Sequence, residues 1–213
     1  MKRNLRKYLS GMLSALLFVA CILTPVNAHA SSGLAVSAGK NFGDGVDTRQ
    51  DAIDASTAYG NAGYSTVTLQ SPTKSDFTSE NLSADILFLS GHGNADVLSF
   101  GTYKIVCQSG TASSSYTNLW NTASNQKLIT FAGCNTAGGG DKNGGSGSTS
   151  DNITKRVVDQ GADAAVGWTT TVSAGSHTNW LKRYNNSLAG GKTVSQAKVG
   201  GQAVLGRQSF CTT

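Results

Sequence analysis

The chain has 213 residues, a formal net charge of +5 and few charged side chains, which make up 14% of its residues. Four of the lysines and arginines fall within residues 1–30, where no acid occurs, so residues 31–213 carry a net charge of only about +1. The sequence also lacks a basic cluster with interleaved aromatic residues. These properties argue against a nucleic-acid partner.

Residues 1–30 have the pattern of a secretory signal peptide. A basic head is followed by a short apolar stretch, and Ala28-His29-Ala30 places small residues at the two positions that a signal peptidase reads. The apolar stretch is too short for a comfortable membrane span. We therefore predict a secreted, extracellular protein that has no membrane attachment after cleavage and folds as a single domain over residues 31–213. Cleavage before Cys21, which would give a lipoprotein, and an uncleaved membrane anchor are the alternatives.

Hydrophobic periodicity along residues 31–213 predicts strands that alternate with helices. In chain order, strands are predicted over 33–39, 65–70, 84–91, 127–133 and 162–168, helices over 47–64, 149–161, 176–191 and 193–205, and a hairpin over 96–108. Such alternation favours a mainly parallel sheet with helices on both faces. The predicted fold class is therefore an α/β three-layer sandwich with a small β-hairpin insertion.

Two of the predicted central strands end at a glycine beside a reactive side chain. The run 84–91 leads into His92 and Gly93, and the run 127–133 leads into Cys134. Because parallel strands place their carboxyl ends at one edge of a sheet, where ligands gather, we expect both side chains at the same edge. A thiolate there can act as a nucleophile and an imidazole can protonate a leaving amine. Taken singly, each residue also has an inert alternative, a packed cysteine or a turn histidine.

These blocks resemble the signature of the caspase-like cysteine peptidases, a group that includes caspases, gingipains, clostripain, legumain, separase and the CHAT domains. The segments that match are "ILFLSGHGN" and "LITFAGCNTAGG". Farther along, "VVDQGADAAVGWTTTVS" and "WLKRYNNSLAGGKTVSQAKVGGQAVL" are similar to the continuation in CHAT and gingipain-type domains. The resemblance covers roughly residues 84–205 and implies a caspase-like sheet.

The resemblance also implies an activity. Cys134 would be the nucleophile of a secreted cysteine endopeptidase that forms a thioester acyl-enzyme, and His92 would be its general acid. The backbone N–H groups of Gly93 and Cys134 would bind the oxyanion. In this group the pair usually works without a third orienting residue and without a cofactor, on a protein or peptide substrate. The alternative is a secreted binding protein that keeps the fold without significant turnover.

The best-known members of this group recognise one charged side chain of the substrate beside the scissile bond. Here the loop "WTTTVSAGS" offers Trp168 and hydroxyl groups but no charge. Asp141, in the loop after Cys134, and Asp163 are the acids nearest to the motifs. We therefore take Trp168 and Asp141 as candidates for the substrate pocket, with a solvated position for either acid as the simpler alternative.

Other patterns argue against different chemistry. No CxxC or HExxH motif occurs, and His177 lies on a predicted helix beside Trp180, so no metal site is predicted. The glycine-rich segment 138–152 lacks the Lys-Ser/Thr ending of a phosphate-binding loop, and no Gly-x-Ser-x-Gly elbow is present. The missing elbow disfavours a serine hydrolase. A nucleotide-binding flavodoxin-like module is disfavoured because no phosphate or flavin loop follows the first predicted strand.

Three cysteines remain after removal of the signal peptide, an odd number for an oxidising compartment. If Cys134 stays a free thiol, Cys107 and Cys211 are the candidates for a disulfide. A loose Cys211 thiol, or a bridge between molecules, is the alternative.

Overall fold

A computed structural model describes residues 33–110, 114–138 and 151–197. The predicted signal peptide, Asp141 and Cys211 lie outside the described residues. Within the described ranges, no helix is long and apolar enough to cross a membrane.

The centre of the fold is a sheet of five parallel strands. They are β1 (Leu34–Gly39), β2 (Ser65–Gln70), β3 (Ile86–Ser90), β8 (Leu128–Ala132) and β9 (Ala165–Val166). Their order is β2-β1-β3-β8-β9, and all neighbours pair in parallel. Every residue of β3 and β8 is buried, as expected for central strands that are covered on both faces. The predicted strand at 162–168 is confirmed only as the two residues of β9.

Helices cover both faces of this sheet. In the described ranges they include α1 (Arg49–Asn61), α2 (Ser79–Leu82), α3 (Ile153–Asp159) and α4 (Ala174–Ala189), and residues 194–197, within the helix predicted over 193–205, are also helical. One face packs Phe88 of β3 against Tyr59 of α1 and Trp180 of α4. The other face packs Leu87 and Leu89 with Ile153 and Val157 of α3. Alternate residues of one strand thus enter two separate hydrophobic clusters, which confirms the three-layer α/β arrangement.

A second, smaller sheet follows β3. Its strands are β4 (His92–Asn94), β5 (Val97–Phe100), β6 (Tyr103–Val106) and β7 (Tyr116–Asn118), in the order β4-β5-β6-β7. The predicted hairpin is confirmed as β5 and β6, which pair antiparallel and turn at Gly101 with a φ of +82°. Leu98 and Ile105 of this sheet pack into the hydrophobic cluster that also contains the buried residues of α3. His92 itself begins β4 and pairs with Ser99, so the insertion starts at the predicted site residue.

Candidate active site

The ends of β3 and β8 bring the two predicted reactive side chains to one edge of the sheet. Ser90 pairs with Ala132 at the last register position, and the N–H of Gly91 donates to the carbonyl of Ala132 at 3.1 Å. The chain then continues to His92 from one strand and to Cys134 from the other. Both side chains line a single cavity of about 300 Å³.

Two glycines allow the chain segments at these strand ends to touch backbone to backbone. A β-carbon on Gly93 would lie 2.5 Å from the carbonyl oxygen of Cys134 and 2.7 Å from the carbonyl carbon of Gly133. A β-carbon on Gly133 would lie 2.8 Å from the carbonyl oxygen of Gly91 and 3.1 Å from the α-carbon of Gly93. Side chains of Leu98 and Thr136 also lie within 3 Å of these positions, but the backbone atoms cannot move aside as a side chain can, so an added β-carbon would push the two chain segments apart.

Cys134 is partly buried at the start of a tight turn. Its Sγ accepts a hydrogen bond from the N–H of Val172 at 3.4 Å and lies 3.8 Å from the Val172 carbonyl. The next residue, Asn135, has a φ of +58°, and its N–H donates to the carbonyl of Thr170 at 3.2 Å. Left-handed backbone is uncommon outside glycine, but asparagine adopts it more readily than most residues. The loop after β9 therefore runs alongside the sulfur and holds it.

Thr136 fixes the turn that follows Cys134. Its hydroxyl lies 3.0 Å from the carbonyl oxygens of Phe131 and Gly133 and accepts from the N–H of Trp168 at 3.1 Å. The carbonyl of Thr136 accepts in turn from the hydroxyl of Thr154 at 2.9 Å. This buried threonine ties β8, β9 and α3 together directly beneath Cys134.

His92 is half exposed at the rim of the cavity. Its Nε2 lies 2.9 Å from Oδ2 of Asp44, and the ring of Phe42 packs on it with centroids 4.4 Å apart. Both partners come from the loop between β1 and α1. An acidic neighbour of His92 therefore exists, although the resemblance does not require one.

A buried carboxyl forms part of the cavity wall. Asp51, in the first turn of α1, is 3% exposed and accepts from the hydroxyl of Ser90 at 2.9 Å. Thr178 contributes a second hydrogen bond. Burial raises the pKa of Asp51 from 3.8 to about 6. Among the described residues no lysine or arginine forms an ion pair with it, so the cavity carries a negative charge at neutral pH.

His177, in the first turn of α4, faces the same cavity. It is 7% exposed and packs on Trp168 with ring centroids 5.1 Å apart. Burial lowers its pKa from 6.5 to about 4, so the imidazole is neutral at pH 7. In the part of the chain that the structure describes, its Nε2 has no hydrogen-bond partner. A buried nitrogen without a partner is rare in folded proteins, and here it shares a cavity wall with a buried carboxylate.

The other predicted site residues lie elsewhere. Trp168 is only 1% exposed and sits in the core behind His177 rather than on the cavity wall. Asp163 precedes β9, at the opposite edge of the sheet from Cys134. Cys107 is completely buried, and burial raises the pKa of its thiol to about 12. Asp141 and the predicted partner Cys211 are outside the described ranges.

No group of three His, Cys, Asp or Glu side chains that could hold a metal occurs in the described ranges.

Sequence reasoning missed Asp44, Asp51 and His177. Topology is the signal that could have found two of them, because a helix that follows a parallel strand begins at the sheet edge where that strand ends. Asp51 and His177 lie in the first turns of the helices after β1 and β9, and they therefore reach the same edge as Cys134.

Comparison with known proteins gives no matching family model and no matching curated sequence. Among solved structures, the chain is similar to the Arg-specific cysteine proteinase gingipain R, with 12% identity and a TM-score of 0.49 over 80% of this chain and 40% of that chain. It is also similar to the complex of the RgpB pro- and mature domains from Porphyromonas gingivalis, with 12% identity and a TM-score of 0.47 over 84% of this chain and 46% of that chain. The chain thus spans less than half the length of each.

The contact between the two glycine-bearing segments can be tested by adding one methyl group. We expect Gly93→Ala to lower the free energy of unfolding by about 1–3 kcal/mol, because the new carbon would meet backbone that cannot move without strain. Gly60→Ala is the matched control, since a β-carbon there lies 3.8 Å from its nearest neighbour and helix α1 gains about 0.5–1 kcal/mol from alanine. Urea unfolding measures both. Equal stability of the two variants would contradict the close contact.

Proposed function

We propose that the protein is a secreted cysteine endopeptidase in which Cys134 is the nucleophile and His92 the general acid. The observation that supports this most is the meeting of the two side chains on one cavity at the ends of adjacent parallel strands. A thiol and an imidazole at one cavity, beside backbone N–H groups at strand ends, are the components of acyl transfer through a thioester. Export is proposed from the signal-peptide pattern of residues 1–30.

The proposed reaction has two steps. The Cys134 thiolate attacks the carbonyl carbon of the scissile bond, and the N–H groups of Gly93 and Cys134 donate to the oxyanion of the tetrahedral intermediate. Collapse of this tetrahedral intermediate breaks the C–N bond, and His92 donates its proton to the leaving amine. Water then attacks the thioester, with His92 accepting its proton, and the acid product leaves Cys134 as a thiolate.

The cavity beside Cys134 would determine which substrates are cleaved. We propose that it receives the side chain next to the scissile bond and that Asp51 favours a cationic one, such as lysine or arginine. In the tautomer of the neutral His177 that carries its proton on Nδ1, the Nε2 atom is a further acceptor for the donors of such a group. A cation would supply the ion-pair partner that the Asp51 carboxylate lacks among the described residues.

Burial of the charged Asp51 carboxylate lowers the stability of the folded protein, and this cost supports a binding role for Asp51. Its raised pKa means that the folded chain holds the charged form less favourably than the unfolded chain does. Stability therefore falls as the pH rises from about 4 to about 6, and it stays lower above that range. A buried charge that destabilises the free protein at neutral pH is typical of a functional position.

The proposed nucleophile and acid are tested by truncation. We expect Cys134→Ala and His92→Ala each to abolish cleavage of a mixed peptide library, and the double variant to be little worse than either, because the two act as a unit. Urea midpoints close to that of the parent would show that the fold is intact. Wild-type cleavage by Cys134→Ala would disprove the mechanism. A folded parent that cleaves nothing in the library would favour the alternative of a binding protein without turnover.

The role of Asp51 is tested by Asp51→Asn. We expect the variant to lose its preference for lysine or arginine over neutral side chains, while the parent loses the same preference as the pH falls through about 6. We also expect Asp51→Asn to be more stable than the parent at pH 7, by on the order of 1–3 kcal/mol, since it removes a buried charge. Asp54→Asn, a less buried position on the same helix, is the control. An unchanged side-chain preference in Asp51→Asn would refute the assignment.

A further inference from the structure

The outermost strand β2 is a long, regular and uncharged edge strand. It pairs with β1 over six consecutive register positions without a bulge, and among the described residues no strand lies on its outer side. Its sequence "STVTLQ" contains neither a charged residue nor a proline, which are features that commonly protect an edge strand from further pairing. The edge strand on the other side of the sheet, β9, has only two residues and offers little backbone to pair with. β2 is therefore the edge strand at which the sheet can accept another strand.

The backbone of β2 presents alternate residues to its outer side. The N–H of Ser65 donates to the carbonyl just before β1 at 3.0 Å, and the N–H of Ser71, just after β2, donates to the last carbonyl of β1 at 2.7 Å. Backbone groups along a strand point alternately to its two sides, so every second residue between these two serines also faces β1. The residues whose N–H and C=O groups point outward are Thr66, Thr68 and Gln70.

The side chains of β2 give this strand one apolar and one polar face. Val67 and Leu69 pack against the hydrophobic cluster that contains Leu87 and Leu89, but they are only partly buried. On the opposite face the exposed Thr68 donates from its hydroxyl to the hydroxyl of Ser56 in α1 at 2.7 Å. A strand added beside β2 would therefore cover apolar side chains on one face and hydroxyl groups on the other.

A second copy of β2 matches this strand when the two run antiparallel. A two-fold axis requires that the pattern of outward groups match itself, and antiparallel pairing requires that outward residues lie opposite one another. Both conditions are met when Thr68 lies opposite Thr68 of the second copy and Thr66 lies opposite its Gln70. Each of these outward residues then exchanges backbone hydrogen bonds with its counterpart. In the same register Val67 lies opposite Leu69 of the second copy, so apolar side chains meet on one face.

We propose that the protein forms a dimer in which β2 pairs antiparallel with β2 of a second copy, with Thr68 at the two-fold axis. Electrostatic repulsion opposes this pairing little, because the strand is uncharged and residues 31–213 carry a net charge of only about +1. The two central sheets join into one, and the carboxyl ends of their strands point in opposite directions. The cavities that hold His92 and Cys134 therefore open on opposite sides of the dimer. The inference does not depend on the proposed function.

Sedimentation equilibrium tests the dimer and its register. Under reducing conditions, which exclude a disulfide between molecules, we expect the parent to show a reversible monomer–dimer equilibrium. Thr68→Lys should raise the dimer dissociation constant at least about tenfold, because it sets two like charges opposite each other at the axis. Asn186→Lys, at an exposed position on α4, adds the same charge elsewhere and should dimerise like the parent.

Thr68→Pro is the second variant, since it removes only an N–H that points away from β1 and an edge strand tolerates proline there. It should be monomeric, with a urea midpoint that shows an intact fold. If Thr68→Pro does not fold, Thr68→Lys decides alone. A parent that is monomeric at every concentration, or a dimer that Thr68→Lys leaves as tight as the parent, would overturn the inference.

Amide hydrogen exchange locates the interface without a substitution. The N–H groups of Thr66, Thr68 and Gln70 should exchange at least about tenfold more slowly in a concentrated sample than in a dilute one, because they are bonded only in the dimer. The N–H groups of Val67 and Leu69 face β1 in both samples and are the internal control. Outward amides that exchange rapidly at both concentrations would place any dimer contact elsewhere and overturn the inference. Equal protection at both concentrations would show that another segment of the same chain covers β2, which also overturns it.

Discussion

The parallel pairing of β3 with β8, and the backbone contact just beyond it, is the constraint on which the rest of the site depends. The register that aligns Ser90 with Ala132 sets His92 and Cys134 at neighbouring strand ends. Gly93 and Gly133 then let the two chain segments approach to a distance that no other residue permits. Thr136 and Asn135 stabilise the turn on the cysteine side, and β4 pairs the histidine side with the small sheet.

The cavity beside this contact contains buried polar groups that lower the stability of the folded protein. Among the described residues, Asp51 is buried without an ion-pair partner and the Nε2 of His177 is buried without a hydrogen-bond partner, and both residues line the cavity that His92 and Cys134 share. Replacing such groups with apolar ones commonly stabilises a protein, and buried charges of this kind are frequent at functional sites. A cationic side chain that satisfies both is consistent with a peptidase that selects its cleavage position by charge.

Sequence reasoning succeeds here where the signal is local. Continuous apolar runs predicted β3 and β8, and the glycines that follow them marked the site edge. It did not find Asp44 or Asp51, because both follow β1, which lies beside β3 in the sheet, and no local pattern encodes that order. Trp168 was proposed for the pocket because it is the aromatic group of the loop "WTTTVSAGS", yet its ring packs inward against His177 and Trp180. Large aromatic rings at strand ends serve the core as readily as a site.

The proposed activation of Cys134 by His92 is tested most directly by the rate of thiol alkylation. With iodoacetamide at neutral pH, folded parent protein should be labelled at Cys134 at least about tenfold faster than the same cysteine in urea, since an adjacent imidazole favours the thiolate. His92→Ala should lose that advantage while keeping its fold. A Cys134 that reacts in the folded parent no faster than in the unfolded chain, or equally fast in His92→Ala, would contradict the account.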